Sequence, residues 1–373
     1  MSLRDRLAAA AAPKDGNVLF KKYGVLENPY PSSSQTADNP HRRLTIDDDI
    51  DARVESFVRD HKSQVIVVVG TQGTGKTNVL NYYEREIKSA LGSLNGYYVV
   101  RYLADPESSF DGTLRRLFQE LGFDHLEALG KKLKETYDGG TLEEAIEAAR
   151  SHEVRIALRR LAASGGDAET VTNLNEWFLG LRLLKAHRET LGVNFRLDTV
   201  ESKTAALRDL IQVSSQVGLL NGVFLLLDEL EKQDGVLSAT AVVRYLSAMR
   251  AIIDALPHHL FMMVAVTPDA LRRYSVALPA FRSRLENRVE LSPLTEVDQA
   301  KSLAEFYLQE ARTKAVQSGQ SPVGTQSLVS DQEIEELFTS ALERARRAGD
   351  EGVRQRQFLH LLHTEAEQRI QKL

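Results

Sequence analysis

The segment Gly70-Thr71-Gln72-Gly73-Thr74-Gly75-Lys76-Thr77 follows directly on the apolar run Val65-Ile66-Val67-Val68-Val69, and no other stretch restricts the fold as tightly. Glycines at 70, 73 and 75 allow a backbone path that aims several N–H groups at one anion. Lys76 then reaches the β- and γ-phosphates of a nucleotide, and the Thr77 hydroxyl is a ligand for Mg²⁺. The β-branched run before the loop reads as a strand. After it, Val79, Leu80, Tyr83, Ile87, Ala90 and Leu91 recur at helical spacing. That helix turns its positive dipole end toward the phosphates, with Asn78 in its first turn. The expected nucleotide-binding set is therefore Gly70, Thr71, Gln72, Gly73, Thr74, Gly75, Lys76, Thr77 and Asn78.

A second constraint is Val223-Phe224-Leu225-Leu226-Leu227-Asp228-Glu229, a fully apolar run that ends in two carboxylates. Parallel strands buried on both faces look like this, and ligands of such sheets bind beyond the carboxyl ends of the strands. Asp228 is expected to hold Mg²⁺ through water, and Glu229 to orient and deprotonate an attacking water. A third run, Leu260–Val266, ends at Thr267-Pro268. Thr267 either touches the γ-phosphate or the lytic water, or only caps the helix that starts at Pro268. Tyr97–Leu103, ended by Asp105-Pro106, reads as a further strand and Val289–Leu291 as a short one. Arg282, Arg284 and Arg288 between them could be ordinary surface charges.

Around these strands the remainder is helical. Residues 1–44 are rich in Pro and Ser, as in Asn28-Pro29-Tyr30-Pro31-Ser32 and Asn39-Pro40, and read as an extended arm. The α/β domain is expected over 45–292, opening on a helix marked by Ile46, Ile50, Val54, Phe57 and Val58. Between the second strand and the Asp-Glu strand the chain is far longer than a crossover helix requires, so about 125–200 reads as a helical insertion. Its one strand candidate is Val193–Leu197, and its Trp177 is either a core residue or a binding residue. Residues 293–373 read as a helical lid, with a mobile loop at 315–329, a capping box at Ser330 and Glu333, and a break at Gly349-Asp350-Glu351-Gly352.

Composition excludes several classes. With no cysteine there is no disulfide, thiolate metal site or cysteine nucleophile. No apolar run approaches the length of a membrane span, and Ala8–Ala12 is too short for a secretion signal, so a cytoplasmic protein without membrane contact is expected. A net charge of −5 means that any nucleic-acid contact comes from a local patch or from an oligomer that concentrates basic residues.

The ordered series of phosphate loop, Asp-Glu strand, strand ending in Thr267, Ser283-Arg284-Leu285 and the Gly352-Val353-Arg354 turn resembles the AAA+ ATPases. Within them it resembles the branch of the origin-recognition ATPases and STAND nucleotide switches. The resemblance implies a three-layer α/β P-loop NTPase with a parallel sheet, a helical insertion and a C-terminal helical lid. It makes Asp228 and Glu229 the Walker B pair, Thr267 sensor 1, Arg284 a trans-acting arginine finger with Arg282 the alternative, and Arg354 the lid residue that senses nucleotide. More narrowly, Leu174-Asn175-Glu176-Trp177-Phe178-Leu179-Gly180, Leu191-Gly192-Val193 and Ala206-Leu207-Arg208-Asp209-Leu210, leading to Leu227-Asp228-Glu229-Leu230-Glu231, are similar to ATP-binding proteins of bacterial phage-defence islands of the BREX type. They are also similar to transposon-targeting ATPases. Origin-recognition proteins usually carry a winged-helix domain after the lid, which this chain does not continue into.

Together these readings imply an ATP hydrolase using Mg²⁺ at subunit interfaces. It would assemble as a homo-oligomeric ring or filament on double-stranded DNA, alongside effector proteins of the same system. Two rivals are a nucleotide-dependent switch read by a partner effector without DNA, and a scaffold that binds nucleotide without turning it over. The Asp228-Glu229 pair argues against the last.

Overall fold

An apolar strand flanked by other strands must have both faces covered, and the sheet here follows from that need. The computed structural model describes residues 16–32, 44–92, 95–103, 109–232, 237–317 and 324–373. After a first helix, α1 (Gly16–Tyr23), come α2 (Leu44–Asp60), β1 (Gln64–Gly70), α3 (Lys76–Ala90) and β2 (Tyr97–Leu103). Helices α4 (Asp111–Asp138), α5 (Leu142–Ile146), α6 (His152–Ser164), α7 (Ala168–Phe178), α8 (Lys185–Leu191) and α9 (Val200–Gln216) lead to β3 (Gly222–Asp228). Then follow α10 (Ala239–Ala255), β4 (Leu260–Val266), α11 (Pro268–Ala277), α12 (Pro279–Arg282) and β5 (Arg288–Leu291), and finally α13 (Val297–Gln317), α14 (Asp331–Arg347) and α15 (Gln355–Ile370).

The strand order is β2-β3-β4-β1-β5, and the β2·β3, β3·β4 and β4·β1 pairings are parallel. Because side chains alternate along a strand, each buried strand feeds two cores. Val65, Val67, Val69, Leu225, Leu227, Met262 and Val264 join one core with α4, α9, α10 and α11. Phe224 and Phe261 face the other way, where Phe57 of α2 lies edge-on to Phe224 with ring centroids 5.0 Å apart. Helices on both faces make this a three-layer α/β sheet.

By its contacts the chain divides into two units. The sheet unit is Arg42–Gly70 with Val79–Glu290, and α4 to α9 belong to it. The helices after β2 do not form a core of their own: Trp177, Phe178, Leu158 and Leu161 share a cluster with the strands. Gly122 (φ 65°) interrupts α4. The Val193–Leu197 segment is irregular chain and not a strand, and the Phe195 carbonyl accepts a hydrogen bond from the Trp177 indole at 2.9 Å. Trp177 is thus a core residue.

Two sets of polar groups buried in this unit satisfy one another. The Asp209 carboxylate, fully buried, accepts from the Arg150 and Ser151 backbone N–H groups at 3.1 and 2.8 Å and from Arg208. His125 bridges the Tyr98 hydroxyl at 2.7 Å and the Ser214 hydroxyl at 2.8 Å.

The other unit joins Leu291–Leu373, Thr71–Asn78 and the described residues before 41. Residues 16–23 correct the expectation of an extended arm. Leu19, Phe20 and Tyr23 are buried at helical spacing, and Leu19 and Tyr23 enter a core with Ala300, Leu303, Phe338 and Phe358. The Pro-rich segment that follows is extended but anchored: Asn28 Nδ2 donates to the His363 carbonyl at 3.0 Å, and His363 Nδ1 meets the Tyr30 carbonyl at 2.7 Å. The Ser330–Glu333 capping box is present. Ala8–Ala12, Asn39-Pro40, Asp105-Pro106 and the centre of the 315–329 loop lie outside the described residues.

Burial holds His125 neutral, with its pKa lowered to about 4. An unfolded histidine titrates near 6.5, so between these values only the unfolded chain takes up the proton, and stability falls as pH drops from about 6.5 to 4. The full effect is on the order of 3 kcal/mol. Denaturation midpoints of the wild type measured at pH 7.5 and 5 should therefore separate more than those of His125→Asn.

Candidate functional site

The loop between β1 and α3 takes the conformation its glycines allow. Gly73 (φ 85°) and Gly75 (φ 97°) both occupy the positive-φ region that L side chains avoid. The Thr71 carbonyl collects the loop around itself, accepting from the Thr74 hydroxyl at 2.8 Å and from Lys76 Nζ at 3.3 Å. Gly70 ends β1, Thr71 and Gln72 are exposed, and Thr77 and Asn78 are half-buried in the first turn of α3. Asn78 hydrogen-bonds Tyr307 of α13, whose hydroxyl is pushed up to about 12, chiefly by burial.

The turn before α15 reaches the same loop. Gly352 passes so close to Leu294 that a Cβ there would lie 2.5 Å from the Leu294 carbonyl. Leu294 and Val353 exchange two backbone hydrogen bonds, each 2.8 Å. With the turn pinned, the Arg356 N–H donates to the Gly73 carbonyl at 3.2 Å, and buried Gln355 places Oε1 2.9 Å from where a Gly75 Cβ would stand. Arg354 is exposed beside Gly73, with Nη2 3.4 Å from Asp350. The structure thus brings Arg354 to the phosphate loop and adds Gln355, Arg356 and Tyr307, which sequence spacing did not reveal.

In the sheet unit, β3 and β4 end side by side. Asp228 closes β3 at 1% exposure, Glu229 follows, and Thr267 stands just past β4. Asp228 Oδ1 accepts from the Glu229 N–H at 2.9 Å and Oδ2 from Arg101 Nη2 at 2.7 Å. Arg101 also approaches Asn81 Oδ1 at 3.4 Å and Glu84 at 3.9 Å, while its buried Nη1 has no partner among the described residues. The alternation of β2 explains this meeting. Arg101 pairs with Leu226, and Leu226 shares a face with Asp228 two residues on. A cation inside a strand otherwise reading Tyr-Tyr-Val-Val-Tyr-Leu was the signal for this partner in the sequence.

Glu229 lies at φ 54°, an uncommon conformation for a non-glycine residue, and Oε2 meets Lys232 Nζ at 2.5 Å. Thr267 accepts from the Ala270 N–H at 3.4 Å and so caps α11. Arg284 lies elsewhere. Its Nε donates to Asp254 at 2.8 Å, in a cleft of about 530 Å³ that includes Ser63 and Gln64 at the start of β1. In a parallel sheet that is the end opposite Asp228 and Thr267, so the structure does not bring Arg284 to them within one chain. Arg282 is exposed and has no ion pair among the described residues.

Two consequences can be measured. At Gly75 an added Cβ meets both an unsuitable φ and Gln355, a strain of about 1–3 kcal/mol. Gly75→Ala should therefore weaken ATP binding at least tenfold in a fluorescent-nucleotide titration, and adding Gln355→Ala should restore only part of it. Because a half-removed buried ion pair leaves a charge stranded, Arg101→Ala and Asp228→Ala should each lower stability by roughly 3 kcal/mol. Together they should lower it by less than the sum, leaving a coupling of about 1–3 kcal/mol in a double-mutant cycle.

A model of the family described as BREX system ATP-binding protein BrxC/D matches residues 140–366, a stretch that holds Asp228, Glu229, Thr267 and Arg354. The phosphate loop lies before it. No curated protein matches the chain. Among solved structures, the chain is similar to the Aeropyrum pernix ORC2 protein in its ADPNP–ADP complexes. That similarity is at 13% identity and TM-score 0.42 and covers 93% of this chain and 72% of that one. It is also similar to Cdc6p from Pyrobaculum aerophilum, at 13% identity and TM-score 0.37, covering 86% and 66%. Among the described residues no helix is long and apolar enough to cross a membrane. With more than half its length matched, including the Asp-Glu strand end and the turn at Arg354, the chain belongs to the BREX system ATP-binding protein family BrxC/D.

Proposed function

We propose that this chain hydrolyses ATP with Mg²⁺ and does so as an assembled homo-oligomer on double-stranded DNA, in phage defence with partner proteins of the same system. The observation that carries the reading is the phosphate loop, whose positive-φ Gly73 and Gly75 are packed against the Arg354–Arg356 turn. The loop N–H groups and Lys76 bind the phosphates. Arg354 and Arg356, on that turn, give the lid helix a means of sensing whether the loop is loaded.

Hard oxygen donors suit Mg²⁺, and the chain supplies them as the Thr77 hydroxyl and the Asp228 carboxylate, the latter through water. When bound, the ion neutralises charge on the β- and γ-phosphate oxygens. Arg101 orients the Asp228 carboxylate through its Nη2, and its unpartnered Nη1 is left for a ligand oxygen. Glu229 acts as the general base toward water. Its left-handed backbone is the kind of local strain that accumulates at functional sites, and release from Lys232 frees its carboxylate. Thr267, at the neighbouring strand end, caps α11 and lies beside the Asp-Glu pair.

A trans-acting arginine from a neighbouring subunit completes the site. Of the two candidates Arg282 is the better placed to act, because Arg284 is already held by Asp254. A second reading, a nucleotide-held switch read by an effector protein, draws on the ion pairs that occupy Asp228 and Glu229 in this conformation.

ATP turnover per subunit, measured against protein concentration with and without duplex DNA, separates the two. The assembled hydrolase shows a rate that climbs with concentration and rises again on DNA, whereas a switch gives a flat rate in both. Lys76→Ala should lose ATP binding, while Glu229→Gln should retain ATP and lose about 10² to 10⁴ in turnover. Loss of a trans arginine costs about 10³ to 10⁵ in rate, expected at Arg282→Ala more than at Arg284→Ala. Wild-type turnover by both arginine variants would refute the shared site.

A further inference from the structure

Outside the nucleotide site, the connection from α7 to α8 carries a surface that the reading above does not use. The buried Trp177 indole donates to the Phe195 carbonyl at 2.9 Å, and Arg196 Nε donates to the Gly180 carbonyl at 2.8 Å. These two bonds fix the backbone of 195–196 against the end of α7. Fixed in this way, the Phe195 side chain faces outward at 70% exposure, beside Leu184 at 67%. Such exposure of a large aromatic ring on a pinned backbone is not loose chain; it is a presented surface.

The surroundings are cationic. Phe195 and Leu184 border a cleft of about 510 Å³ that Arg182, Lys185 and Arg188 also line. Between 181 and 196 the only acidic residue in sequence is Glu189; from neighbouring helices Glu153 accepts from the Asn194 N–H at 2.7 Å and Glu176 lies 3.9 Å from His187, so that the cations Arg182, Lys185, Arg188 and Arg196 still outnumber the carboxylates. Glu189 approaches Lys185 at 3.7 Å, and the Arg182 and Arg188 side chains have no ion pair among the described residues. Unpaired guanidinium groups beside an apolar cleft favour a polyanion with flat faces over an apolar protein partner, which would leave these charges to be desolvated without compensation.

We propose that this cleft binds a nucleic-acid strand: Arg182, Lys185 and Arg188 contact successive phosphates, and Phe195 stacks on an unpaired base. The proposal rests on the DNA-associated reading and goes beyond its duplex DNA to a single strand; duplex binding without oligothymidylate binding would overturn the proposal and leave that reading standing. A base stacked on an aromatic ring adds affinity whatever its sequence, while phosphate contacts set the salt dependence.

The test is binding of a roughly 20-nucleotide oligothymidylate at several salt concentrations, with ATP binding measured on the same proteins. Phe195→Ala should weaken the oligonucleotide about tenfold without changing the salt slope. Arg182→Glu with Arg188→Glu should weaken it further and lower the slope of log K against log salt by about 1 to 2. Both variants should bind ATP like the wild type, since none of these side chains belongs to the phosphate loop. If the wild type binds the oligonucleotide and both variants bind it equally well, the cleft is not the nucleic-acid surface and the DNA reading stands. If the wild type binds neither this strand nor duplex DNA, both fail. Binding of polyglutamate in place of DNA, abolished by the charge reversals, would assign the cleft to an acidic protein and overturn the proposal.

Discussion

A carboxylate buried at the end of an all-apolar strand needs partners for both oxygens, and the Arg101–Asp228 pair supplies one of them where β2 and β3 end. Asp228 is 1% exposed, with one oxygen on the Glu229 N–H and the other on the guanidinium. Removing a charge from water costs several kcal/mol per ion, offset only by good geometry and further hydrogen bonds. The parallel β2·β3 register makes that geometry possible, because it puts residues 101 and 228 on one face. The same pair orients the carboxylate and ties β2 to β3 near their carboxyl ends.

The phosphate loop depends on a different constraint, close backbone approach. Glycines at 73 and 75 accept positive φ, and Gly352 lets the turn before α15 lie on the Leu294 carbonyl, so that Gln355 and Arg356 touch the loop. A Cβ at Gly352 would meet the Leu294 carbonyl, one at Gly75 the Gln355 side chain, and one at Gly73 the Cβ of Arg356. The loop and the start of the final helix therefore share one set of contacts.

The strands and helices were legible because burial imposes a period. Runs such as Leu260–Val266 are apolar on both faces, and α14 announces itself by its Ser330–Glu333 box. Where the sequence misled, local composition was overridden by packing. Residues 16–23 lie in a segment with prolines downstream, but Leu19 and Tyr23 find a core to enter and the helix forms. Val193–Leu197 has the apolar content of a strand and no neighbouring strand to pair with; its backbone serves Trp177 instead. At the site, the glycine loop, Lys76, Asp228 and Glu229 could be named from spacing. Arg101 left only the trace of a cation in an apolar strand, and Gln355 and Tyr307 left none, since each meets a residue far away in the chain.

The sequence by itself determined two local features: a glycine-lined turn between strand and helix, and a carboxylate pair at the end of a buried strand. Those requirements are local, written in φ angles and alternation. Tertiary structure alone decided which cation satisfies Asp228, which turn lies on Gly73 and Gly75, and that Arg284 is held by Asp254 at the far end of the sheet. Partners of that kind are chosen by strand register and by how closely two backbones can approach, and neither quantity exists until distant segments have packed.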